Sequence, residues 1–368
     1  MYNLAAPLSQ ETQPFFPELS DFVHQALPIE RRHARLETIE AALLHLQRHT
    51  TIHRAPTLPG LVSEIGSLVG MAHDLGLNLD PSSWSLSAED SNRRIRIWWG
   101  IYIQDKWSAL GLGRPSYLND DHCNVPLPTV GNFSPIGDPK PALQFVAMAH
   151  LTTILSDILN TFYTLASAQR IKNLSIDQLC ALLEEFQGRL NAYNEQFSSR
   201  SYENNNTLLD SSGTLILSHH TLHLILLRAI LRTCPLSSPL YPSLRYQTKS
   251  ILTTIVDFLS NLSVSKLRAF WWSPVSRINF AMAGTGMFYQ LLTSVESEDI
   301  EFWSATIGHY RSLLRLQSRG WDVPKLACVR LDLLARGMGV DVDLDVDVDG
   351  LVDGEGQWDE GQGVVGED

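Results

Sequence analysis

Apolar residues recur at the 3.6-residue period through most of this chain, while the two-residue alternation of strands appears only near the C-terminus. The core must therefore be built from helices. Between Thr221 and Arg232, residues Leu222, Ile225, Leu226, Ala229 and Ile230 follow the i, i+3, i+4, i+7, i+8 pattern of a buried helix face. Similar stripes run from Leu36 to Leu46, Leu61 to Leu75, Leu143 to Leu165, Ile176 to Phe197, Ile251 to Leu262, Ile278 to Leu292 and Phe302 to Leu316. Prolines punctuate them at Pro56, Pro59, Pro81, Pro115, Pro126, Pro128, Pro135 to Pro141, Pro235 to Pro242 and Pro274. The pattern predicts an all-α fold, a multi-helix array of antiparallel helices. The polar stretch 198–213 reads as a surface loop between a front half, up to about Gln196, and a back half ending near Arg336. Two halves of one array and two domains account for that break equally well.

Charge narrows the function classes. The net charge is −12, but from Asp341 to Asp368 there are 11 acidic residues and no basic one, which leaves the rest with 28 basic and 29 acidic side chains. Affinity for DNA comes largely from Lys and Arg neutralising phosphates, and a neutral body with an acidic tail lacks that footprint. The tail's like charges repel one another in any compact state, so it is predicted to be disordered.

The four cysteines, Cys123, Cys180, Cys234 and Cys328, are widely separated and form no CxxC pair. Structural zinc sites need closely spaced ligand pairs, so a zinc cluster is not expected within these residues. The N-terminus, MYNLAAPLSQETQPFF, has no charged segment followed by an apolar one, as a secretory signal would. The apolar run Leu222 to Leu231 is broken by Arg228, short of the ~18 uninterrupted apolar residues of a membrane span. No membrane partner is expected.

The most informative stretch is 70–128. A helix is predicted to end near Leu75 with Gly76 in the left-handed position after it, and Ser87 to cap a new helix with Asp90 three residues on. That helix places Ile95, Trp98, Trp99, Tyr102, Ile103, Trp107 and Leu110 on one broad face, and each aromatic ring can bury ~150 to 250 Å². Arg93 and Arg94 lie near its start, where the helix dipole disfavours positive charge, so acidic partners are expected for both. Gly113 and Pro115 end the helix. Arg114 is read as a buried ion-pair partner of Asp105 or as part of an effector pocket, with the ion pair preferred.

The order A-x-x-LGL, RRxxWWxxYxxD, GRP, D-D, V-P-L-P resembles the middle homology region of fungal zinc-cluster (Zn2Cys6) transcription factors. It falls on Ala72, Leu75 to Leu77, Arg93, Arg94, Trp98, Trp99, Tyr102, Asp105, Gly113, Arg114, Pro115, Asp120, Asp121, Val125, Pro126 and Pro128. LNLDPSSW and YIQDKWSAL are most similar to the branch of nitrogen-catabolism co-regulators, and HHTLHLILLRAIL, FWWSPVSRINFAMAG and YRSLLRLQSR resemble later family segments. The resemblance implies a regulatory domain over 20–336, with a flexible segment 1–19 before it and the acidic tail 337–368 after it. It implies a nuclear transcription regulator that is not an enzyme, with other transcription regulators and the transcription machinery as partners. Homo- or heterodimers and a small-molecule effector are left open. DNA would be reached only indirectly or through an N-terminal cluster absent from this sequence. Zinc is expected only with such a cluster. The chain is then either a regulator acting without DNA contact or an incomplete form of a DNA-binding one.

Sharper chemical readings compete at a few positions. Asp120 and Asp121 could open the metal motif of an all-helical enzyme, but no third carboxylate is spaced for magnesium, and a surface loop accounts for them. His219, His220 and His223 share helical spacing but lack an adjacent Glu, so packing and capping at a helix start is preferred to zinc; His45, His49 and His53 read likewise. Asp345, Asp347 and Asp349 mimic half a calcium loop, but Gly356 stands where its Glu should be. An acidic activation segment anchored by Val, Leu and Trp358 is the better reading of the tail, with an inert solubilising tail as its rival. Gly284 and Gly286 form a GxG inside a helical pattern, which suits helix packing rather than a dinucleotide.

Overall fold

The computed structural model describes residues 11–47, 60–134, 138–202, 210–263, 266–267, 269–270, 273–319 and 323–338. Among the described residues the regular structure is helical, with no strand. The helices are α1 (Phe16–Glu30), α2 (Leu36–Leu46), α3 (Leu61–Asp74), α4 (Ala88–Leu112), α5 (Lys140–Ile158), α6 (Leu165–Ile171), α7 (Ile176–Tyr202), α8 (Ser212–Leu231), α9 (Leu240–Ser260), α10 (Ser273–Leu292), α11 (Ser297–Ser318) and α12 (Lys325–Gly337). A π-turn, Leu159–Tyr163, continues α5.

Two apolar cores hold the array. Helices α2 to α5 and α7 surround the first, and α9 to α12 the second. Helix α8 serves both: Leu222, Ile225 and Leu226 enter the first core, Leu217 and Leu224 the second. A further joint lies at Gly111 of α4, where a Cβ would stand 2.5 Å from Ile278 Cδ1 of α10, so only glycine lets these helices close. Gly284 plays the same part between α10 and α12, lying directly under the fully buried Leu331. The GxG of the sequence is thus a pair of packing positions, Gly286 resting against Leu252 and Leu224.

Several boundaries differ from the sequence reading. Helix α1 begins inside the 1–19 segment expected to be flexible, with Pro17 in its first turn, where the missing amide N–H is not needed, and Pro28 inside its last turn. The stretch 198–213, read as a loop, instead holds the end of α7 and the start of α8; residues 203–209 lie outside the described set. Tertiary contacts override its polar composition there: buried Asp210 pairs with Lys140 at 3.5 Å, and the Phe270 ring covers Gly213. Residues 339–368, most of the acidic tail with the calcium-like aspartates, lie outside the described residues, as do His49 and His53.

Among the described residues, two helices are by length and composition apolar enough to cross a membrane, Lys140–Tyr163 and Ser212–Leu231; Arg228 does not lower the average of the second enough to disqualify it. Both are core helices, with 61% and 78% of their apolar windows buried inside the protein.

Candidate functional site

Helix α4 carries six of the motif residues, Arg93, Arg94, Trp98, Trp99, Tyr102 and Asp105, and its middle is buried on all sides rather than on one face. Ser87 caps its start, accepting from the Asp90 amide at 3.1 Å and donating to the Asp90 carboxylate at 2.6 Å. Gly113, at φ +61°, ends it with its amide turned back to the Ala109 carbonyl. In between, Ile95 and every residue from Ile97 to Ala109 are buried. Trp98 and Trp107 are among the largest fully buried side chains. Three of the aromatics use their polar tips: Trp99 Nε1 donates to the Pro126 carbonyl at 2.8 Å, Trp107 Nε1 to Thr152 Oγ1 at 2.9 Å, and the Tyr102 hydroxyl to Asp120 at 2.8 Å. The indoles form an internal spine, each at most 5% exposed.

The two arginines at the head of α4 find different partners. Arg93 makes a two-point contact with Glu40 at 2.8 and 2.6 Å and reaches Glu37 at 2.8 Å, as expected for a cation near a helix start. Arg94 departs from that expectation. Its guanidinium donates to the Leu75 carbonyl at 2.9 Å and lies over the Trp84 ring at 5.0 Å, so it satisfies the C-terminal end of α3 instead of a carboxylate.

The expected Asp105–Arg114 pair does not form. Asp105 accepts from Ser116 Oγ at 2.5 Å and from the amides of Tyr117 and Leu118 at 3.0 and 3.2 Å, holding the turn after α4. Burial nevertheless keeps its carboxyl above the usual carboxylate range, against the pull of those hydrogen bonds. Arg114 and Pro115 are exposed, because the left-handed Gly113 swings the chain outward before Ser116 brings it back.

Asp120 is the residue that sequence reasoning undervalued. Rather than sitting freely on a surface loop, it takes hydrogen bonds from Tyr102, from Ser156 Oγ at 2.5 Å and from Asn160 at 3.2 Å, and it faces the buried ammonium of Lys106 at 3.3 Å. Burial works against its charge, but the Ser156 hydrogen bond and Lys106 outweigh burial and hold the carboxyl below its ordinary range. Lys106 also donates to the Leu118 carbonyl at 2.8 Å. Asp120 thereby ties the loop to α4 and α5 at once, while its neighbour Asp121 is exposed. The clue in the sequence was a lysine in the middle of an otherwise buried helix, which needs a carboxylate nearby.

The histidines of α8 sit in mid-helix, not at its start. His219 contacts the Leu190 carbonyl through Nε2 at 3.2 Å, stacks on Tyr193 and meets the His223 ring edge-on at 4.7 Å. Burial pushes His220 down to about 4 and His223 down to about 3, with help from the neighbouring imidazoles. Among the described residues no group of three or more His, Cys, Asp or Glu side chains could hold a metal.

One sizeable cavity adjoins this framework, about 480 Å³ between α2, the start of α5 and the start of α8. Its walls include Leu43, Leu44, Phe145, Met148 and Leu215, with Gln47 as a polar lining residue.

A family model, the fungal specific transcription factor domain, matches residues 34–199, which run from just before α2 almost to the end of α7 and include all of the α4 framework. Residues 34–199 are thus similar to that domain family. The chain is also 26% identical over 350 residues to the transcriptional activator protein DAL81 of Saccharomyces cerevisiae, covering 82% of this chain and 35% of that protein. An uncharacterised transcriptional regulatory protein of Schizosaccharomyces pombe is 30% identical over 168 residues, 45% of this chain and 24% of its own length. The transcriptional activator protein acu-15 of Neurospora crassa is 26% identical over 219 residues, 54% of this chain and 23% of its own. The chain thus spans about a third or less of these relatives. No solved structure matches it. Within the fungal transcription factor domain lie the α2 and α5 walls of the cavity; its α8 wall lies beyond the matched residues.

Proposed function

We propose that this chain is the helical regulatory region of a transcription regulator and that it acts through protein contacts rather than chemistry. The observation that carries the reading is the match of residues 34–199 to a transcription factor domain in which Trp98, Trp99, Tyr102 and Asp105 of α4 are consumed in packing. Four carboxylates around α4 are engaged by neighbouring donors: Asp105 by a serine and two amides, Asp120 by four side chains, Glu37 and Glu40 by Arg93. Groups held in this way brace a scaffold, and none is left poised to act as acid, base or nucleophile.

In this reading the chain works in the nucleus, docks on other transcription regulators and contacts the transcription machinery. The resemblance of LNLDPSSW and YIQDKWSAL to nitrogen-catabolism co-regulators supports control of nitrogen-source use as the finer assignment. Zinc has no place in this chain on this view, its four cysteines being free thiols far apart in sequence. Fusing the full chain to a heterologous DNA-binding module in a fungal host tests the proposal. Reporter output should change relative to the module alone, and Asp120→Ala should reverse that change. An unchanged reporter, with the fusion shown to be folded and nuclear, would overturn it.

A further inference from the structure

The 480 Å³ cavity lies within the range of small-molecule sites, about 300 to 1,000 Å³. Its walls are mainly apolar, and its lining lysine is already matched. Lys140 pairs with Asp210 at 3.5 Å, both side chains nearly buried, and Asp138 accepts from the Lys140 amide at 2.9 Å. Ser211 donates to the Gln144 carboxamide. An anionic ligand would find its nearest cation, Lys140, already paired and would lose its hydration on entry.

One polar group is incomplete. Gln47 donates from Nε2 to Gln104 Oε1 at 2.8 Å, and Gln104, itself fully buried, donates from its own Nε2 to Ser108 Oγ at 2.9 Å. This relay holds the Gln47 Nε2 and leaves its Oε1 buried with no hydrogen-bond partner. The oxygen is closed to the cavity as it stands, and a ligand donor that turns the carboxamide toward the lining would remove its desolvation penalty.

We infer that the cavity between α2, α5 and α8 binds a neutral, largely apolar small molecule carrying a hydrogen-bond donor that meets Gln47. Such a ligand would touch helices inside the transcription factor domain and α8 outside it, and so would stiffen the joint between them. The inference concerns binding alone and does not rest on the proposed function, so a silent reporter and a failed binding measurement remain distinguishable.

The test titrates the full chain with para-hydroxybiphenyl, with para-methoxybiphenyl, which has lost the donor, and with para-biphenylcarboxylate, which adds a charge. The hydroxy probe should saturate one site, bind more tightly than the other two and shift the Met148 methyl resonance. Leu44→Trp, which fills the cavity from a partly exposed position, should weaken it by about tenfold, and Gln47→Leu should abolish its preference over the methoxy probe. Absence of saturable binding up to the solubility limit, binding equal in Leu44→Trp and the parent, or an unmoved Met148 methyl would overturn the proposal. Tighter binding of the carboxylate, or a preference that survives Gln47→Leu, would overturn the ligand class. If Leu44→Trp does not fold, the Gln47→Leu titration and the Met148 resonance decide.

Discussion

Arg311 of α11 donates from Nε and Nη2 to a single oxygen of Asp332 on α12, at 2.9 and 2.6 Å, with both side chains almost fully buried. Arg315 approaches the other oxygen at 3.4 Å. Removing the carboxylate leaves guanidinium charge in the second core with no acid to face it. Asp332→Ala should therefore cost about 3 to 5 kcal/mol in urea unfolding, whereas Arg311→Met combined with Asp332→Leu should recover most of that loss. Equal stability of Asp332→Ala and the parent would show that the pair contributes nothing.

The adjacent aspartates of the loop after α4 make a sharper comparison. Asp120→Ala strands Lys106 and removes the acceptor of Tyr102 and Ser156, so a loss of about 3 kcal/mol is expected. Asp121→Ala touches an exposed side chain and should stay within about 0.5 kcal/mol. Denaturation of the two variants side by side is the measurement, and similar losses would remove Asp120 from its bracing role.

Stability should fall in mild acid. The folded-state values of His220 and His223, about 4 and about 3, lie below the ordinary 6.5, so the unfolded chain binds protons first as pH drops. Their contribution is complete above pH 6.5 and is lost as pH falls toward the folded values. Between pH 7 and 5 each should account for about 1 to 2 kcal/mol of lost stability. His223→Phe should flatten that slope in a melting series, and an unchanged slope would exclude the α8 imidazoles as its origin.

Gly284→Ala sets two effects against each other. Alanine gains about 1 kcal/mol in helix propensity, but its Cβ would lie 2.4 Å from Leu331 Cδ2 and 2.9 Å from Leu331 Cγ, in a side chain with no room to retreat. Overpacking of this kind costs about 1 to 3 kcal/mol, so net destabilisation is expected. A variant that melts higher than the parent would show that the α10–α12 contact can relax.

The acidic tail is tested apart from the body. Residues 337–368 fused to a DNA-binding module should raise reporter output if Trp358 and its flanking aliphatics act as an activation segment, and Trp358→Ala should lower it.

Much of the helical architecture was legible in the sequence, because the period of the apolar residues depends only on which faces are buried. Leu36–Leu46 was read with both its ends, and Ser87, Gly76 and Gly113 marked their boundaries through cap and left-handed chemistry. Helix α1 went unread because it buries only Leu27, so few apolar positions mark its face. Side-chain pairing was harder to read. Arg94 was expected to meet an acid because charge was the only clue available, and a carbonyl at the end of α3 does the same work. Arg114 was expected to be buried because it sits in a motif, but its exposure follows from a backbone turn that composition does not reveal. The cavity left no periodic trace, since its wall comes from three helices far apart in the chain.

Helix α8 lends side chains to both cores, with Leu222 and Ile225 facing one way and Leu217 and Leu224 the other. Neither half can melt by itself without stripping cover from its neighbour. A fragment cut anywhere between α7 and α8 would expose the apolar flank of α5 and α7 to water and self-associate, and loosening at either end of the molecule will be felt at the other as one cooperative transition.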